Sequence, residues 1–360
     1  MPSPTIPHTP RPPSQMLPCV LDAWIAEELR DRGWTGDDLA TGVEEEQIRA
    51  LVRTLRRVLA SSRFYRERLA GVQAESARLA DLPFTMPEDI VPWQDLCCVS
   101  QGEVDRIVTL PTSGTTGPPK RIAFTARDLH RTRDFFRVGM GQIVSRGERL
   151  GVLLAGAHRP FGVGDLLARA LGPVGVDVRF PEEGEETLPW LRRFRPHCIV
   201  AAPRQLEALL APLADDPPTS VLCSSDWLHP ELARKVRKTW GCRFLDHYGL
   251  TETGFGCAVE CPAHDGYHLR SLDILVEIRD VVTGDILPAG KEGEIVLTTL
   301  DREAMPLIRY RTRDVASVLP GPCACGSPLP RLGRVTGRLT EKGVFRLPKG
   351  EGANPATHAD

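Results

Sequence analysis

Cys198-Ile-Val-Ala-Ala202, then Pro203 to Leu213, then Ser220-Val-Leu-Cys223 is the stretch that decides how the fold is read. The two outer segments are short apolar runs and read as buried strands, and the segment between them reads as a helix. The same alternation continues on both sides. Upstream lie a strand at Leu150-Gly-Val-Leu-Leu-Ala155, a helix from Asp165 to Leu171, a strand at Val174-Gly-Val-Asp-Val178 and a helix from Thr187 to Phe194. Downstream, Glu231 to Trp240 reads as a helix and Arg243-Phe-Leu245 as a strand. Strands that alternate with helices predict a mostly parallel sheet flanked by helices, an α/β fold. Such sheets bind ligands beyond the carboxyl ends of their strands. Loops 109–120, 224–227 and 246–252 are predicted to lie there.

The flanks read differently. Residues 20–80 carry apolar positions at helical spacing (Leu21, Trp24, Ile25, Leu29, then Ile48, Leu51, Leu55, Val58, Leu59). Lys120-Arg-Ile-Ala-Phe124 reads as a short strand, with Thr125 placed to cap a helix from Ala126. From Ser271 the pattern changes to short strands between Gly and Pro turns: Ile274 to Ile278, Glu294 to Thr298, Leu307 to Tyr310 and Val315 to Val318. These predict an antiparallel β lobe. The expected division is a disordered Pro-rich arm at 1–18, an α/β region at 19–270, the lobe at 271–338 within the same large domain, and a hinge stub with a disordered tail at 339–360. A net charge of −2 gives no bulk attraction to nucleic acid or to anionic membrane, and neither partner is expected. No apolar run is long enough for a membrane span, and the first residues lack the apolar core of a signal peptide. The expected location is cytoplasmic.

Three loops carry chemistry. Thr109-Leu-Pro-Thr-Ser-Gly-Thr-Thr-Gly-Pro-Pro-Lys120 mixes hydroxyls, glycines and a lysine. Glycine lets a phosphate approach backbone N–H groups, the hydroxyls add donors, and lysine adds a mobile charge. Pro118 and Pro119 separate Gly117 from Lys120, so this is not a Walker A loop. Taken alone, a surface turn is the plainer reading. Asp246-His-Tyr-Gly-Leu-Thr-Glu-Thr-Gly254 offers a flat ring in Tyr248 and hard carboxylate oxygens in Glu252. Its plainer alternative is a capped turn. In Leu307-Ile-Arg-Tyr-Arg-Thr-Arg-Asp-Val315, Asp314 can accept both hydroxyls of a ribose or simply close a salt-bridged strand end.

In this order the three loops resemble the adenylate-forming superfamily of acyl-CoA synthetases, adenylation domains and luciferases. The closer likeness is to phenylacetate–CoA ligases. It rests on Tyr248-Gly-Leu-Thr-Glu252 followed by Glu260-Cys261, on Gly293-Glu-Ile-Val-Leu-Thr-Thr-Leu300, on Pro306 to Asp314, on Cys323-Ala-Cys-Gly326 and on Gly333-Arg-Val-Thr-Gly-Arg338. Phe64-Tyr-Arg66 and Leu82-Pro-Phe-Thr85 fit as well. The resemblance implies AMP-forming, ATP-dependent activation of a carboxylic acid through an acyl-adenylate, with coenzyme A as acceptor. It places Thr112, Ser113, Gly114, Thr115, Thr116, Gly117 and Lys120 on the β- and γ-phosphates. It sets Tyr248 with Gly249 on adenine, Thr251 on the α-phosphate, Glu252 on Mg²⁺, Asp314 on the ribose and Arg338 on the ribose and phosphate side. Lys120, Thr251 and Glu252 are the expected catalytic residues. Ser225 and Asp226 stand where the family has a Gly-Ala-Glu-Pro turn at the adenine edge.

Two departures set the alternatives. The family carries a C-terminal lid domain with a lysine for adenylation, whereas here Gly337-Arg338 runs into Leu-Thr-Glu-Lys-Gly-Val-Phe and the lid is expected to be largely absent. The alternative is therefore a catalytically impaired nucleotide-binding homologue, or a subunit completed by a partner chain that supplies the lid. A homodimer is also considered. The segment near His158-Arg-Pro-Phe-Gly162 differs from the family's acyl pocket, and Phe161 and Trp227 line either a pocket or plain core.

The cysteines raise a separate question. Cys323 and Cys325, one residue apart in a Pro/Gly turn, can face one ion together with Cys261. His268, His264 and Cys257 compete for the fourth place, with His268 put first. A structural Zn²⁺ is the expectation; free thiols are the alternative.

Overall fold

The computed structural model describes residues 19–110, 120–340 and 342–348. The arm 1–18, the tail 349–360 and Thr112, Ser113, Gly114, Thr115, Thr116 and Gly117 of the hydroxyl/Gly loop lie outside the described residues.

The N-terminal helices are α1 (Val20–Asp31), α2 (Leu39–Ser61) and α3 (Arg63–Arg68). Strands β1 (Arg106–Leu110) and β2 (Lys120–Phe124) pair antiparallel, with Leu110 opposite Lys120. The phosphate loop of the sequence reading thus connects two strands of one hairpin. Helix α4 (Ala126–Met140) starts where expected. The Thr125 side chain accepts from Asp128 N–H and the Asp128 side chain from Thr125 N–H, a reciprocal cap.

The large sheet begins with β3 (Arg149–Val152), α5 (Val163–Leu171), β4 (Asp177–Arg179), α6 (Thr187–Phe194), β5 (Cys198–Ala201), α7 (Pro203–Leu209), β6 (Ser220–Cys223), α8 (Pro230–Trp240) and β7 (Arg243–Tyr248). It continues through β8 (Ala258–Glu260) and β9 (Tyr267–Leu269). Next come β10 (Ile274–Arg279), β11 (Gly293–Thr299), β12 (Tyr310–Ala316), β13 (Val318–Leu319), β14 (Arg331–Leu332), β15 (Gly337–Thr340) and β16 (Gly343–Arg346).

The nine-stranded sheet has the order β13-β14-β9-β8-β7-β6-β5-β3-β4. From β4 to β7 neighbours run parallel, and from β7 to β13 they run antiparallel. The sheet is therefore mixed rather than mostly parallel. All four residues of β5 are buried, as a parallel strand covered on both faces requires.

Three expectations change. First, β7 does not stop at Leu245. His247 and Tyr248 pair with Val259 and Ala258 of β8, so the expected loop 246–252 begins only at Gly249. Gly249 is required there, because a Cβ would sit 2.2 Å from the Phe255 carbonyl oxygen. Second, Leu307 to Arg309 are not strand. Ile308 N–H donates to the Tyr65 hydroxyl at 2.9 Å, the Thr85 hydroxyl donates to Ile308 C=O at 2.7 Å, and Thr85 N–H donates to Arg309 C=O at 3.0 Å. Partners from the N-terminal region replace the ladder, and the strand starts at Tyr310. Third, Val315 and Val318 belong to different strands. Val315 lies near the end of β12 in the lobe, whereas Val318 opens β13 at the edge of the large sheet.

The lobe is a five-stranded sheet, β10-β11-β12-β15-β16, with antiparallel neighbours throughout. The hinge stub expected from 339 starts as the β15–β16 hairpin of this sheet. Apolar residues of both sheets share one core, with Tyr248, Cys257, Tyr267 and Leu332 packed with Ile274, Ile278, Ile295 and Leu297. That shared core fixes the lobe against β7, β8, β9 and β14.

Candidate active site

A cavity of about 900 Å³ opens between the carboxyl ends of β6 and β7, strands β12 and β15 of the lobe, and the 334–336 segment. Ser225, Asp226, Tyr248, Gly249, Asp314 and Arg338 all line it. Four separate stretches of sequence therefore converge on one space. The sheet supplies Tyr248 as the last residue of a central strand, and the lobe supplies Asp314 and Arg338, which are register partners on β12 and β15.

The Tyr248 hydroxyl donates to Asp314 Oδ2 at 2.9 Å. Arg338 Nε stands 3.7 Å from Asp314 Oδ1. Burial pushes the Asp314 carboxyl above the usual range, while Arg338 and Tyr248 oppose that shift. A carboxylate has room for further donors beyond these two. Ser225 adopts a φ of 70°, and Asp226 accepts from Trp227 N–H at 2.8 Å. Trp227 Nε1–H donates to Val335 C=O at 3.2 Å, so this ring lines the nucleotide-side cavity. Phe161 is half-buried at a φ of 56°, with the Arg169 guanidinium 4.9 Å from its ring centre, and is not among the residues lining the cavity.

Thr251 and Glu252 sit one turn further on, in a short 3-10 helix, Thr251–Thr253. Glu252 is buried. Its Oε1 accepts from the Tyr310 hydroxyl at 2.8 Å, and its carbonyl accepts from Arg302. Lys120 is half-buried at the start of β2. Burial pushes its ammonium below the usual range, and the Glu252 carboxylate acts against that shift. Arg338 acts on Lys120 as well, so Lys120, Glu252 and Arg338 share one electrostatic field.

Asp246, Tyr267 and Arg334 are among the lining residues to which the sequence reading gave no role. The Tyr267 hydroxyl donates to Asp246 Oδ2 at 2.8 Å. Arg334 reaches Asp246 Oδ2 at 3.5 Å and also bonds Glu260. Burial, and then the Glu260 charge, push the Asp246 carboxyl up to about 7. His247 Nε2 lies 2.8 Å from the Ser224 hydroxyl, and burial pushes its pKa down to about 4. The signal was present in Asp246-His-Tyr and Gly333-Arg-Val, but neither run shows by itself that its polar groups meet.

A second cluster lies at the antiparallel end of the large sheet. One ligand atom from each of Cys261, His268, Cys323 and Cys325 lies within 4.8 Å of the others, and all four residues are buried. Cys261 Sγ is 3.8 Å from Cys323 Sγ, and Cys325 Sγ is 3.6 Å from His268 Nε2. Burial, and then the charge of Arg331, push the His268 imidazole down to about 4, so it is neutral with a lone pair to offer. His264 instead faces Glu260, with Nδ1 3.3 Å from Oε2, and Cys257 packs beneath Tyr248. Of the three competitors for the fourth place, geometry selects His268.

Two loops at the carboxyl ends of the sheet strands and a lobe carboxylate thus meet in one cavity, and comparison shows the class of protein. The family model described as AMP-binding enzyme matches residues 30–299, and the chain belongs to that family. Within it, the chain is 31% identical over 332 residues to the phenylacetate-coenzyme A ligase of Pseudomonas putida, covering 84% of this chain and 72% of that one. It is 30% identical over 331 residues to the phenylacetate-coenzyme A ligase of Escherichia coli K12, covering 83% and 72%. A crystal structure of 2-hydroxyisobutyryl-CoA ligase with 2-HIB-AMP and CoA matches with a TM-score of 0.71 at 19% identity, over 83% of this chain and 69% of that one. That likeness establishes the fold, the adenylate-forming α/β fold of the sequence reading. Among the described residues no helix is long and apolar enough to cross a membrane.

Proposed function

We propose that the chain activates a carboxylic acid with Mg·ATP, forming an acyl-adenylate and pyrophosphate, and passes the acyl group to the thiol of coenzyme A. The observation that carries this reading is the cavity shared by Tyr248, Asp314 and Arg338, with Lys120 and Glu252 beside it. A reaction of this kind needs positioning and charge neutralisation rather than a protein nucleophile. In this reading Tyr248 presents its ring to the adenine, with Gly249, Ser225 and Asp226 at its edge. Asp314 accepts the ribose hydroxyls, and Arg338 faces the ribose and phosphate side. Thr112 to Gly117 and Lys120 hold the β- and γ-phosphates, Thr251 touches the α-phosphate, and Glu252 holds Mg²⁺. The Tyr310 hydrogen bond to Oε1 supports that last role, because it orients the carboxylate. Mg²⁺ supplies charge neutralisation of the phosphates when bound.

The acid belongs, on this reading, to the aryl or short organic acids, since the matched relatives from Pseudomonas putida and Escherichia coli are phenylacetate ligases. None of the described residues lining the cavity is a lysine. For the lid lysine of the resemblance, we read a partner chain as one source. Ten free cysteines fit a reducing, cytoplasmic setting.

We also propose a structural Zn²⁺ on Cys261, His268, Cys323 and Cys325. Tetrahedral zinc sets two thiolates about 3.8 Å apart and a thiolate and an imidazole nitrogen about 3.6 Å apart, from the usual bond lengths. The Cys261–Cys323 and Cys325–His268 separations of 3.8 and 3.6 Å agree with that geometry. Four protein ligands leave no open position, which suits a structural site.

The deciding assay is carboxylate-dependent exchange of labelled pyrophosphate into ATP, with and without coenzyme A, across a panel of acids that includes phenylacetate. Exchange with one acid class is expected. No exchange with any acid, alongside measurable ATP binding, overturns the ligase reading and leaves a nucleotide-binding homologue or an incomplete subunit.

A further inference from the structure

The metal centre sits against helix α1, which no motif connects to it. Asp22, in the first turn of α1, is buried, and its Oδ1 accepts from the Ser327 hydroxyl at 2.9 Å. Ser327 belongs to the same turn as Cys323 and Cys325, and Cys323 N–H donates to Ser327 C=O at 3.0 Å. One carboxylate oxygen of Asp22, the Cys19 sulfur and a ring nitrogen of His268 lie within 4.8 Å of one another. His268 therefore belongs to two groups at once: the Cys₃His set and a second set made by α1.

His268 Nε2 lies beside Cys325, whereas Nδ1 is buried and has no hydrogen-bond partner. A buried ring N–H without an acceptor is costly, and a metal-bound histidine regularly gives its second N–H to a carboxylate. The other groups that act on the ring do not meet this need. Arg331 is a donor, and the Asp265 carboxylate is taken by Arg331. Cys19 offers only a weakly accepting sulfur. Asp22 has remaining lone pairs after Ser327 and is stabilised by its place in the first turn of a helix.

We infer that Asp22 is the outer carboxylate of this centre: with Nε2 on the metal, His268 Nδ1–H donates to Asp22, so that docking of α1 and metal binding stabilise each other. This inference rests on the zinc reading. Asp22 is then a positioning residue that holds the tautomer and orientation of His268. By linkage, whatever Asp22 adds to metal affinity the metal adds to the docking of α1.

The test uses the full chain. Zinc affinity is measured by chelator competition for wild type, Asp22→Ala and Asp22→Asn, with the Co²⁺-loaded protein read by its ligand-field absorption. Asp22→Ala is expected to weaken metal binding about 10–100-fold, and Asp22→Asn, which keeps an acceptor oxygen, to recover most of it. Hydrogen exchange is measured with and without metal. Removal of the metal is expected to speed exchange in Val20–Asp31 and to leave Pro230–Trp240 unchanged. If Asp22→Ala does not fold, the exchange comparison on wild type still decides. Metal-loaded wild type with an unchanged Asp22→Ala affinity, or α1 protection indifferent to metal, overturns the inference and leaves the centre standing. Wild type that holds no metal overturns the centre itself.

Discussion

The Tyr248 hydroxyl donates to Asp314 Oδ2 at 2.9 Å, and this bond joins the last residue of a central strand of the large sheet to the middle of the lobe. It orients the ring expected to meet the adenine and the carboxylate expected to meet the ribose in one step. A hydrogen bond to a charged, buried group contributes about 1.5–3 kcal/mol. Tyr248→Phe keeps the ring and removes the bond. ATP affinity, measured by calorimetry, should fall about tenfold, with a smaller change in kcat. Asp314→Ala should cost more, since it also removes the ribose acceptor. A Tyr248→Phe protein with wild-type ATP affinity would show that the bond does not organise the site.

The Glu252 carboxylate acts electrostatically on the Lys120 ammonium. Removing one preorganised charge at a transition state typically lowers the rate by about 10²–10³. Lys120→Ala and Glu252→Gln should each reduce pyrophosphate exchange by that order. Glu252→Gln should also raise the Mg²⁺ concentration needed for half-maximal exchange, a titration that Lys120→Ala leaves nearly unchanged.

Asp246 ionises near 7, against an ordinary value of 3.8, because it is buried beside Glu260. Between these values the folded chain holds a proton that the unfolded chain releases. The contribution to stability is present below about pH 4 and is lost as pH rises through 7. Asp246→Asn removes this titration. Its melting temperature should exceed that of wild type most clearly at pH 8, with the gap closing toward pH 5. The upper bound is about 4 kcal/mol at about 1.4 kcal/mol per pKa unit. A gap that does not vary with pH would refute the assignment.

The four-residue metal cluster predicts one zinc per chain after reducing purification. Cys323→Ser should lose the metal and lower the melting temperature by about ten degrees or more, in keeping with the roughly 10 kcal/mol or more that structural zinc can contribute. Elemental analysis and calorimetry on the same samples test both. Cys257→Ser, outside the cluster, should keep the metal.

Gly249 abuts the Phe255 carbonyl so closely that Gly249→Ala must move backbone. Overpacking of this kind typically costs about 1–3 kcal/mol. Chemical denaturation should register that loss, and exchange activity should fall with it, because Gly249 leads directly from Tyr248 to Thr251 and Glu252.

Much of the α/β region was legible locally. The limits of the helix at Thr187–Phe194 and of the strand at Ser220–Cys223 match their readings from sequence. The Thr125 cap was readable because its partner Asp128 is three residues away. The misread segments share one physical cause. Strand β7 runs on to Tyr248 because β8 comes back to pair with it, and Leu307 to Arg309 leave the ladder because Tyr65 and Thr85 take their hydrogen bonds. Hydrogen-bond partners more than 200 residues away leave no trace in local periodicity.

The sequence by itself determined what depends on neighbours along the chain: the strand–helix alternation, the helix cap, and the order of the motifs that place the chain among AMP-binding enzymes. Tertiary structure alone decided which side chains meet. It joined Tyr248 to Asp314 across 66 residues and Cys261 to Cys323 across 62. It selected His268 over His264, and it brought Asp22 of the first helix within reach of His268. Spacing along a chain fixes direction and period over a few residues. Distance between remote residues is fixed only when strands pair and a shared core closes over them.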